Sequence, residues 1–112
     1  MPTYTRAFVP GGTFFFTVVT YRRQRLFSNE AARHALRLSI QEVRKAHPFQ
    51  IEALVLLPDH LHTIWTLPPE DTDFSNRWRL IKTATTRQLR DHPALLKSQS
   101  ASRQAKHERP VW

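Results

Sequence analysis

Residues 49–67 constrain the fold more than any other segment, because they predict two short strands joined by a tight turn. The first half, FQIEALVLL, is apolar on both faces over residues 53–57, which is typical of a central strand. Pro58-Asp59 has the residue types that favour a turn. The second half, HLHTIWTL at residues 60–67, predicts another strand. The segment therefore predicts a β-hairpin with two histidines at the start of its second strand.

A strand and a helix are predicted before this β-hairpin. Residues 13–21, TFFFTVVTY, are β-branched and aromatic throughout, which predicts a strand covered on both faces. Ser28 is the predicted N-cap of a helix whose apolar residues recur at helical spacing. The helix is expected to end at His47-Pro48, because a residue before proline disfavours the α conformation.

A second helix is predicted over residues 75–90, capped by Asp73 or Ser75. The apolar face of this helix is predicted to be Trp78, Ile81, Thr85 and Leu89. The element order is then β-α-β-β-α. This order predicts an α+β protein, a ferredoxin-like two-layer sandwich with an antiparallel sheet, in which the final strand of the usual β-α-β-β-α-β pattern is missing.

Length and composition narrow the class of protein. A chain of 112 residues fits one domain, predicted at residues 1–93, with a basic, flexible tail at residues 94–112. Val111-Trp112 is expected to have nothing to pack against. The absence of cysteine excludes a disulfide scaffold and a thiolate zinc site. No apolar run of about 18 residues and no signal-peptide core are present, so no membrane segment and an intracellular location are predicted.

The most informative side chains are those of His60 and His62. Side chains alternate along a strand, so both imidazoles should lie on one face. Imidazole is the commonest metal ligand in proteins, although two histidines on a strand can also be simple exposed polar residues. A working site needs a third protein ligand with substrate oxygen and water. Asp59 is near in sequence, but a turn role is the simpler interpretation.

The charge of the chain indicates a polyanionic partner. The sequence has 17 Lys and Arg residues and nine Asp and Glu residues, which gives a formal net charge of +8. Nucleic acid is the usual partner of a protein with such an excess of positive charge. A merely solvated basic surface is the alternative. The basic residues grouped at the exit of the first strand and on the second helix are the predicted DNA contacts: Arg22, Arg23, Arg25, Arg79, Lys82 and Arg90.

Two longer strings carry a specific resemblance. RAFVPGGTFFFTVVTYRRQRLF, and LPDHLHTIWTLP followed by FSNRWRLIK, resemble the REP-associated tyrosine transposases, single-tyrosine HUH transposases of the IS-element type. The resemblance covers the chain from about residue 4 to Trp112. It implies a ferredoxin-like fold in a bacterial cytoplasmic protein. It also implies that His60 and His62 form the HUH pair and bind Mg²⁺ or Mn²⁺.

The resemblance further implies a substrate and a reaction. The partner would be single-stranded or hairpin DNA of the REP type. The metal would polarise the scissile phosphate, and a tyrosine would attack it to leave a 5′-phosphotyrosine and a free 3′-OH. In the family, that tyrosine and a third metal ligand lie on a helix downstream of a segment matching ERPVW, where this sequence stops. Tyr4 and Tyr21 do not match its position.

The sequence therefore predicts a C-terminally truncated transposase that lacks the catalytic tyrosine and does not cleave DNA alone. Two alternatives stay open at this point. One is a non-catalytic DNA-binding module or regulator, and the other is a non-functional relic. The sequence does not distinguish a monomer from a dimer.

Overall fold

The computed structural model describes residues 9–90 and 110–112. Two layers are present in the described residues, a three-stranded sheet and a pair of helices. Two short 3-10 turns, Tyr21–Arg23 and Leu26–Ser28, follow the first strand. The elements in chain order are β1 (Thr13–Val19), α1 (Glu30–Ala46), β2 (Gln50–Leu56), β3 (His60–Thr66) and α2 (Phe74–Arg90).

The sheet is antiparallel throughout, with the strand order β1-β3-β2. The predicted β-hairpin is present as β2 and β3, and the predicted α+β class is confirmed. The interpretation of β2 as a central strand is wrong for the described residues, because β1 pairs with β3 on the side away from β2 and leaves β2 at an edge of their sheet. Val55 of β2 is accordingly 56% exposed despite its apolar side chain.

The helices cover one face of the sheet only. Side chains of β1 alternate strictly between exposed and buried positions, so the prediction of a strand covered on both faces is also wrong. The rings of Trp65 in β3 and Trp78 in α2 stack with their centroids 4.4 Å apart. Phe16 of β1 lies 4.8 Å from Trp65, centroid to centroid. These aromatic contacts join the sheet to α2, and such rings account for much of the buried apolar area.

The helix caps follow from side chains just before each helix. Asn29, not the predicted Ser28, caps α1, since its Oδ1 accepts hydrogen bonds from the N–H groups of Ala31 and Ala32. Ser28 is displaced from that role because it ends a 3-10 turn. Before α2, Oδ1 of Asp73 accepts a hydrogen bond from the N–H of Asn76 at 3.0 Å. Asp73 is thus the one of the two predicted caps, Asp73 and Ser75, that makes a capping hydrogen bond.

Arg77 is a buried cation that the sequence did not single out. Arg77 belongs to α2 and is 4% exposed. Its Nη1 donates to Oδ1 of Asp71 at 3.1 Å, and its Nη2 donates to Oδ2 of the same carboxylate at 2.9 Å. Further hydrogen bonds reach the carbonyl oxygens of His47, Pro48 and Asp73. Hydrogen bonds from Arg77 also lower the pKa of the Asp71 carboxyl below its ordinary value. Arg77 thus ties the start of α2 to the connection between α1 and β2.

The last three residues pack against the domain. Val111 is 7% exposed, and its carbonyl oxygen accepts a hydrogen bond from the N–H of Tyr21 at 2.8 Å. The ring of Trp112 lies 5.8 Å from that of Phe27. The expectation of an unpacked Val-Trp end is therefore wrong for residues 110–112, because the 3-10 turns provide an apolar and hydrogen-bonding surface for it. The remainder of the predicted tail, residues 94–109, lies outside the described residues.

Within residues 9–90 and 110–112, neither helix is long and apolar enough to cross a membrane.

Candidate metal and nucleic-acid site

The face of the sheet opposite the helices carries the two histidines; we call it the open face. In β3, Leu61, Thr63 and Trp65 are buried against the helices, so His60 and His62 alternate onto the open face. Their ring centroids lie 4.9 Å apart with the planes at 82°. The spacing argument from the sequence therefore places the two imidazoles correctly as neighbours on one face.

His60 is hydrogen bonded to the residue before it in the chain. Its Nδ1 lies 2.7 Å from Oδ1 of Asp59, and Oδ2 of the same carboxylate accepts from Nε of Arg23 at 3.1 Å. The hydrogen bond with His60 is the main cause of a lowered pKa for the Asp59 carboxyl, and the Arg23 cation acts in the same direction. Asp59 is thus both a turn residue and a partner of the candidate ligand.

His62 has two partners from β1. Its Nδ1 lies 2.9 Å from Oγ1 of Thr17, the residue directly opposite it in the antiparallel register. The ring of Phe15 stacks on the imidazole with centroids 5.7 Å apart and planes at 16°. On both histidines Nδ1 is therefore engaged, and Nε2 is the ring nitrogen that remains for a metal ion.

The backbone of Asp59 is held by the segment after β1. The N–H of Thr20 donates to the carbonyl oxygen of Asp59 at 3.0 Å, and the Thr20 hydroxyl lies between this oxygen, at 3.0 Å, and the carbonyl oxygen of Gln24, at 2.7 Å. Arg22 and Arg23 have φ angles of 51° and 53°, in the left-handed region that few residues other than glycine adopt. This backbone carries the Arg23 guanidinium to the Asp59 carboxylate, so the first 3-10 turn and the β2–β3 turn form one hydrogen-bonded unit.

The two imidazoles fit a divalent metal ion as a partial ligand set. Their nitrogen donors suit first-row transition metals better than Mg²⁺, which prefers an all-oxygen shell. No group of three or more His, Cys, Asp or Glu side chains suited to a metal lies among residues 9–90 and 110–112. The described part of the chain therefore supplies no His, Cys, Asp or Glu as the third ligand that a working site needs.

The six predicted DNA contacts fall into two groups. Arg22, Arg23 and Arg25 lie in the segment after β1, on the same unit as Asp59, and all three are exposed. Arg79 and Lys82 of α2 line a groove of about 480 Å³ beside β1, together with Thr17, which contacts His62. Arg90 is the exposed last residue of α2. Arg79 also donates to Oδ1 of Asn76.

Three residues of the site were not found from the sequence. Thr17 and Phe15 contact His62, and Asp59 contacts His60, whereas the sequence suggested a core role for most of the aromatic residues of β1 and a turn role for Asp59. Only the register between β1 and β3 could have identified Thr17, because it pairs residues 45 positions apart. The alternation within β1 could have placed Phe15 on the open face.

The sequence and the fold of the chain are similar to those of known transposases. A family model described as "Transposase IS200 like" matches residues 12–107, which include the sheet, both helices and the two histidines. The chain belongs to this transposase family. The resemblance to the REP-associated tyrosine transposases is confirmed as well, since a protein of that name from Escherichia coli is 48% identical over 83 residues.

Other matches agree with this assignment. A relative from Haemophilus influenzae is 31% identical over all 112 residues of the chain. A solved structure of a REP-associated tyrosine transposase bound to a REP hairpin is 37% identical and superposes with a TM-score of 0.72 over the whole chain. A Deinococcus radiodurans structure at 16% identity, with a TM-score of 0.62 over 99% of the chain, supports the fold alone.

The chain spans only part of these relatives. It covers 49% of the Escherichia coli protein, 61% of the Haemophilus influenzae protein and 57% of the chain solved with the REP hairpin. In the 16%-identical structure it covers 79%.

Proposed function

We propose that this chain provides the metal-binding and DNA-binding part of a transposase that acts on single-stranded or hairpin DNA of the REP type. The observation that carries the proposal is the pair His60 and His62 on the open face, with Nδ1 of each ring engaged and Nε2 left over. Family membership and the similarity to a protein solved with a REP hairpin support the same substrate class.

His60 and His62 would hold a divalent ion, Mn²⁺ or Mg²⁺, through Nε2. When bound, such an ion supplies Lewis-acid polarisation of the scissile phosphate. The chain's own residues orient the site: Asp59 and Thr17 fix the two imidazoles, and the buried side chains of β3 fix the strand that carries them. Oxygen atoms of the DNA and water would complete the ligand shell, because two imidazoles alone bind such an ion weakly.

The basic groups would bind the DNA backbone without reading its sequence. Arg22, Arg25, Arg79, Lys82 and Arg90 lie exposed or half-buried on the domain. Phe15, which is 53% exposed beside His62, offers an aromatic surface on which an unpaired base could stack. A single strand that crosses the open face would then place its phosphates near the histidines.

The reaction we propose is transfer through a phosphotyrosine. The tyrosine oxygen attacks the phosphorus, the bond from phosphorus to the 3′ oxygen breaks, and that oxygen leaves as a 3′-OH after taking a proton. We assign the nucleophile to neither tyrosine of this sequence. Tyr21 lies in a 3-10 turn with the Arg22 guanidinium 5.2 Å from its ring centroid, and Tyr4 lies outside the described residues.

The first test measures metal and DNA binding separately. Calorimetry with Mn²⁺ should give measurable binding for the wild type, and His60→Ala with His62→Ala should abolish it. Fluorescence anisotropy with a labelled REP-type hairpin should show binding that weakens steeply with salt, because cation–phosphate contacts release counterions. Unchanged Mn²⁺ binding in the double variant would remove the histidines from the metal site.

The second test looks for covalent chemistry. Incubation of the 112-residue chain with Mn²⁺ and a labelled single-stranded hairpin should give no protein–DNA adduct on a denaturing gel. An adduct that disappears in Tyr21→Phe would show that the nucleophile lies within this sequence, and our assignment would be wrong.

A non-catalytic DNA-binding module is the second candidate function. It is favoured because no third His, Cys, Asp or Glu side chain joins the two histidines in a metal-binding group in the described part of the chain. This candidate predicts that hairpin affinity is the same with Mn²⁺, with a chelator and in the double histidine variant. Metal-dependent tightening of DNA binding in the wild type alone would decide for the transposase site.

A further inference from the structure

We propose that Asp59 is a positioning residue that presets His60 for metal binding by fixing which ring nitrogen carries the proton. The inference rests on the proposed function, since it concerns the same candidate metal site. It assigns to Asp59 a role beyond the turn that its sequence position suggests.

The proton assignment follows from the chemistry of the two groups. An ionised carboxylate can only accept hydrogen bonds, so the 2.7 Å contact with Oδ1 of Asp59 requires the proton to be on Nδ1 of His60. In a neutral imidazole the other nitrogen, Nε2, then carries the lone pair that a metal ion needs. Carboxylate partners of metal-bound histidines act in this way by fixing the tautomer and orienting the ring.

Further contacts hold the side chain and the backbone of Asp59. Nε of Arg23 donates to Oδ2 at 3.1 Å, which leaves Oδ1 directed at His60. The N–H of Thr20 donates to the carbonyl oxygen of Asp59 at 3.0 Å and so holds the Asp59 backbone. The left-handed backbone of Arg22 and Arg23 makes the Arg23 contact possible, and such a conformation at two successive non-glycine residues is uncommon.

The two histidines are therefore expected to differ. Thr17 contacts Nδ1 of His62 through a hydroxyl, which can either donate or accept. Thr17 consequently orients the ring without choosing its tautomer, and stacking on Phe15 restricts the same ring further. We expect His60 to be preset for the metal ion in the metal-free protein, whereas His62 adopts the matching tautomer only when the ion binds.

Nitrogen NMR of the metal-free chain tests the proton assignment. Long-range ¹⁵N–¹H spectra recorded at alkaline pH report which nitrogen of each ring carries the proton. We expect His60 to be protonated on Nδ1 and His62 to be a mixture. Asp59→Asn keeps an oxygen acceptor and should preserve the His60 pattern, whereas Asp59→Ala should shift it towards Nε2 protonation. A wild-type His60 protonated mainly on Nε2 would overturn the proposal.

Calorimetry with Mn²⁺ tests whether the Asp59–His60 hydrogen bond strengthens metal binding. Asp59→Ala should weaken Mn²⁺ binding by roughly 10- to 100-fold, the usual effect of losing such a partner. Asp59→Asn should stay within about threefold of the wild type, since it retains the hydrogen bond. Glu42→Ala, which removes an exposed carboxylate from α1, is the matched control for net charge and should bind like the wild type.

Failure of the positioning role of Asp59 and failure of the proposed function give different results. An equal and large loss in Asp59→Asn and Asp59→Ala would show that Asp59 acts as a ligand rather than as a positioning residue, which overturns the proposal. A wild type that shows the expected His60 tautomer but binds no Mn²⁺ overturns the proposed function and the metal role of Asp59 with it. Thermal melts of each variant establish that a lost signal does not come from unfolding.

Discussion

The two faces of the sheet differ in what they do, although the same strands build both. On the covered face, Phe14 and Phe16 of β1 are buried against the helices, while Phe15 between them is 53% exposed on the open face. Identical side chains at successive positions thus belong to the core and to the candidate site. The position of the helices, rather than the hydrophobicity of the strand, therefore decides which phenylalanines are buried.

The covered face also fixes the position of the open one. In β3, Leu61 and Trp65 are almost completely buried, so a shift of the strand by one residue would bring the histidines into the core and the tryptophan to solvent. Such a shift is energetically excluded by the loss of buried apolar area. Packing on one face therefore determines the placement of His60 and His62 on the other.

The largest effect is expected from a matched pair of phenylalanine substitutions. Phe16→Ala should reduce the free energy of unfolding by about 3–5 kcal/mol, because it opens a cavity among the aromatic residues of the core. Phe15→Ala should cost about 1 kcal/mol or less, since half of its side chain is already in water. Urea denaturation of the two variants measures both values, and equal losses would contradict the division into two faces.

The next largest effect on stability is expected from a substitution of the buried cation Arg77. Arg77→Leu should lower the free energy of unfolding by about 3 kcal/mol, because it leaves Asp71 and three backbone carbonyl groups without their donor. Arg79→Leu on the same helix is the control and should change stability by about 0.5 kcal/mol or less, since Arg79 is exposed. Similar losses in both variants, measured by urea denaturation, would refute a special role for Arg77.

A smaller effect should appear in the pH dependence of stability. The pKa of Asp71 is lower in the folded protein than in the unfolded chain, so the folded state binds fewer protons and its stability rises with pH. The contribution is fully present above the unfolded pKa and is lost as the pH falls through the folded one. Asp71→Asn should therefore destabilise the protein most near neutral pH, and the difference from wild type should shrink on acidification below about pH 4. A difference that does not change with pH in denaturant titrations would contradict this assignment.

The smallest effect is expected at the edge of the open face. Val55→Thr on β2 should alter the free energy of unfolding by about 0.5 kcal/mol or less, since Val55 is 56% exposed and lies beside His62 in the register rather than in the core. Chemical denaturation measures the change. A loss above about 1 kcal/mol would indicate that this side chain is buried in solution, for example in a self-associated form.

Local patterns predicted most of the secondary structure. The β-branched and aromatic run of β1, the Pro-Asp turn after β2 and the helical spacing of α2 were all sufficient to place their elements within about two residues. The errors concerned neighbours distant in sequence. β2 was interpreted as central because of its apolar composition, which does not reveal that β1 pairs with the other side of β3.

The candidate site was predictable to the same extent. The alternation of side chains along a strand placed His60 and His62 on one face without any tertiary information. Their partners were not predictable, because Thr17 reaches His62 across a ladder and Arg23 reaches Asp59 through an unusual left-handed backbone. Arg77 was missed for a similar reason, since its carbonyl partners lie about 30 residues away.

The sequence by itself determined the element order, the pairing of the two histidines and, through the strings around them, the transposase family. These features depend on residues within a few positions of one another, where backbone geometry sets the spacing. Only the tertiary structure decided which face stays open, that β2 lies at an edge of the described sheet, and that Thr17 contacts His62 and Arg23 contacts Asp59. Those outcomes depend on strand order and register, and such contacts between distant segments form only when the whole domain packs.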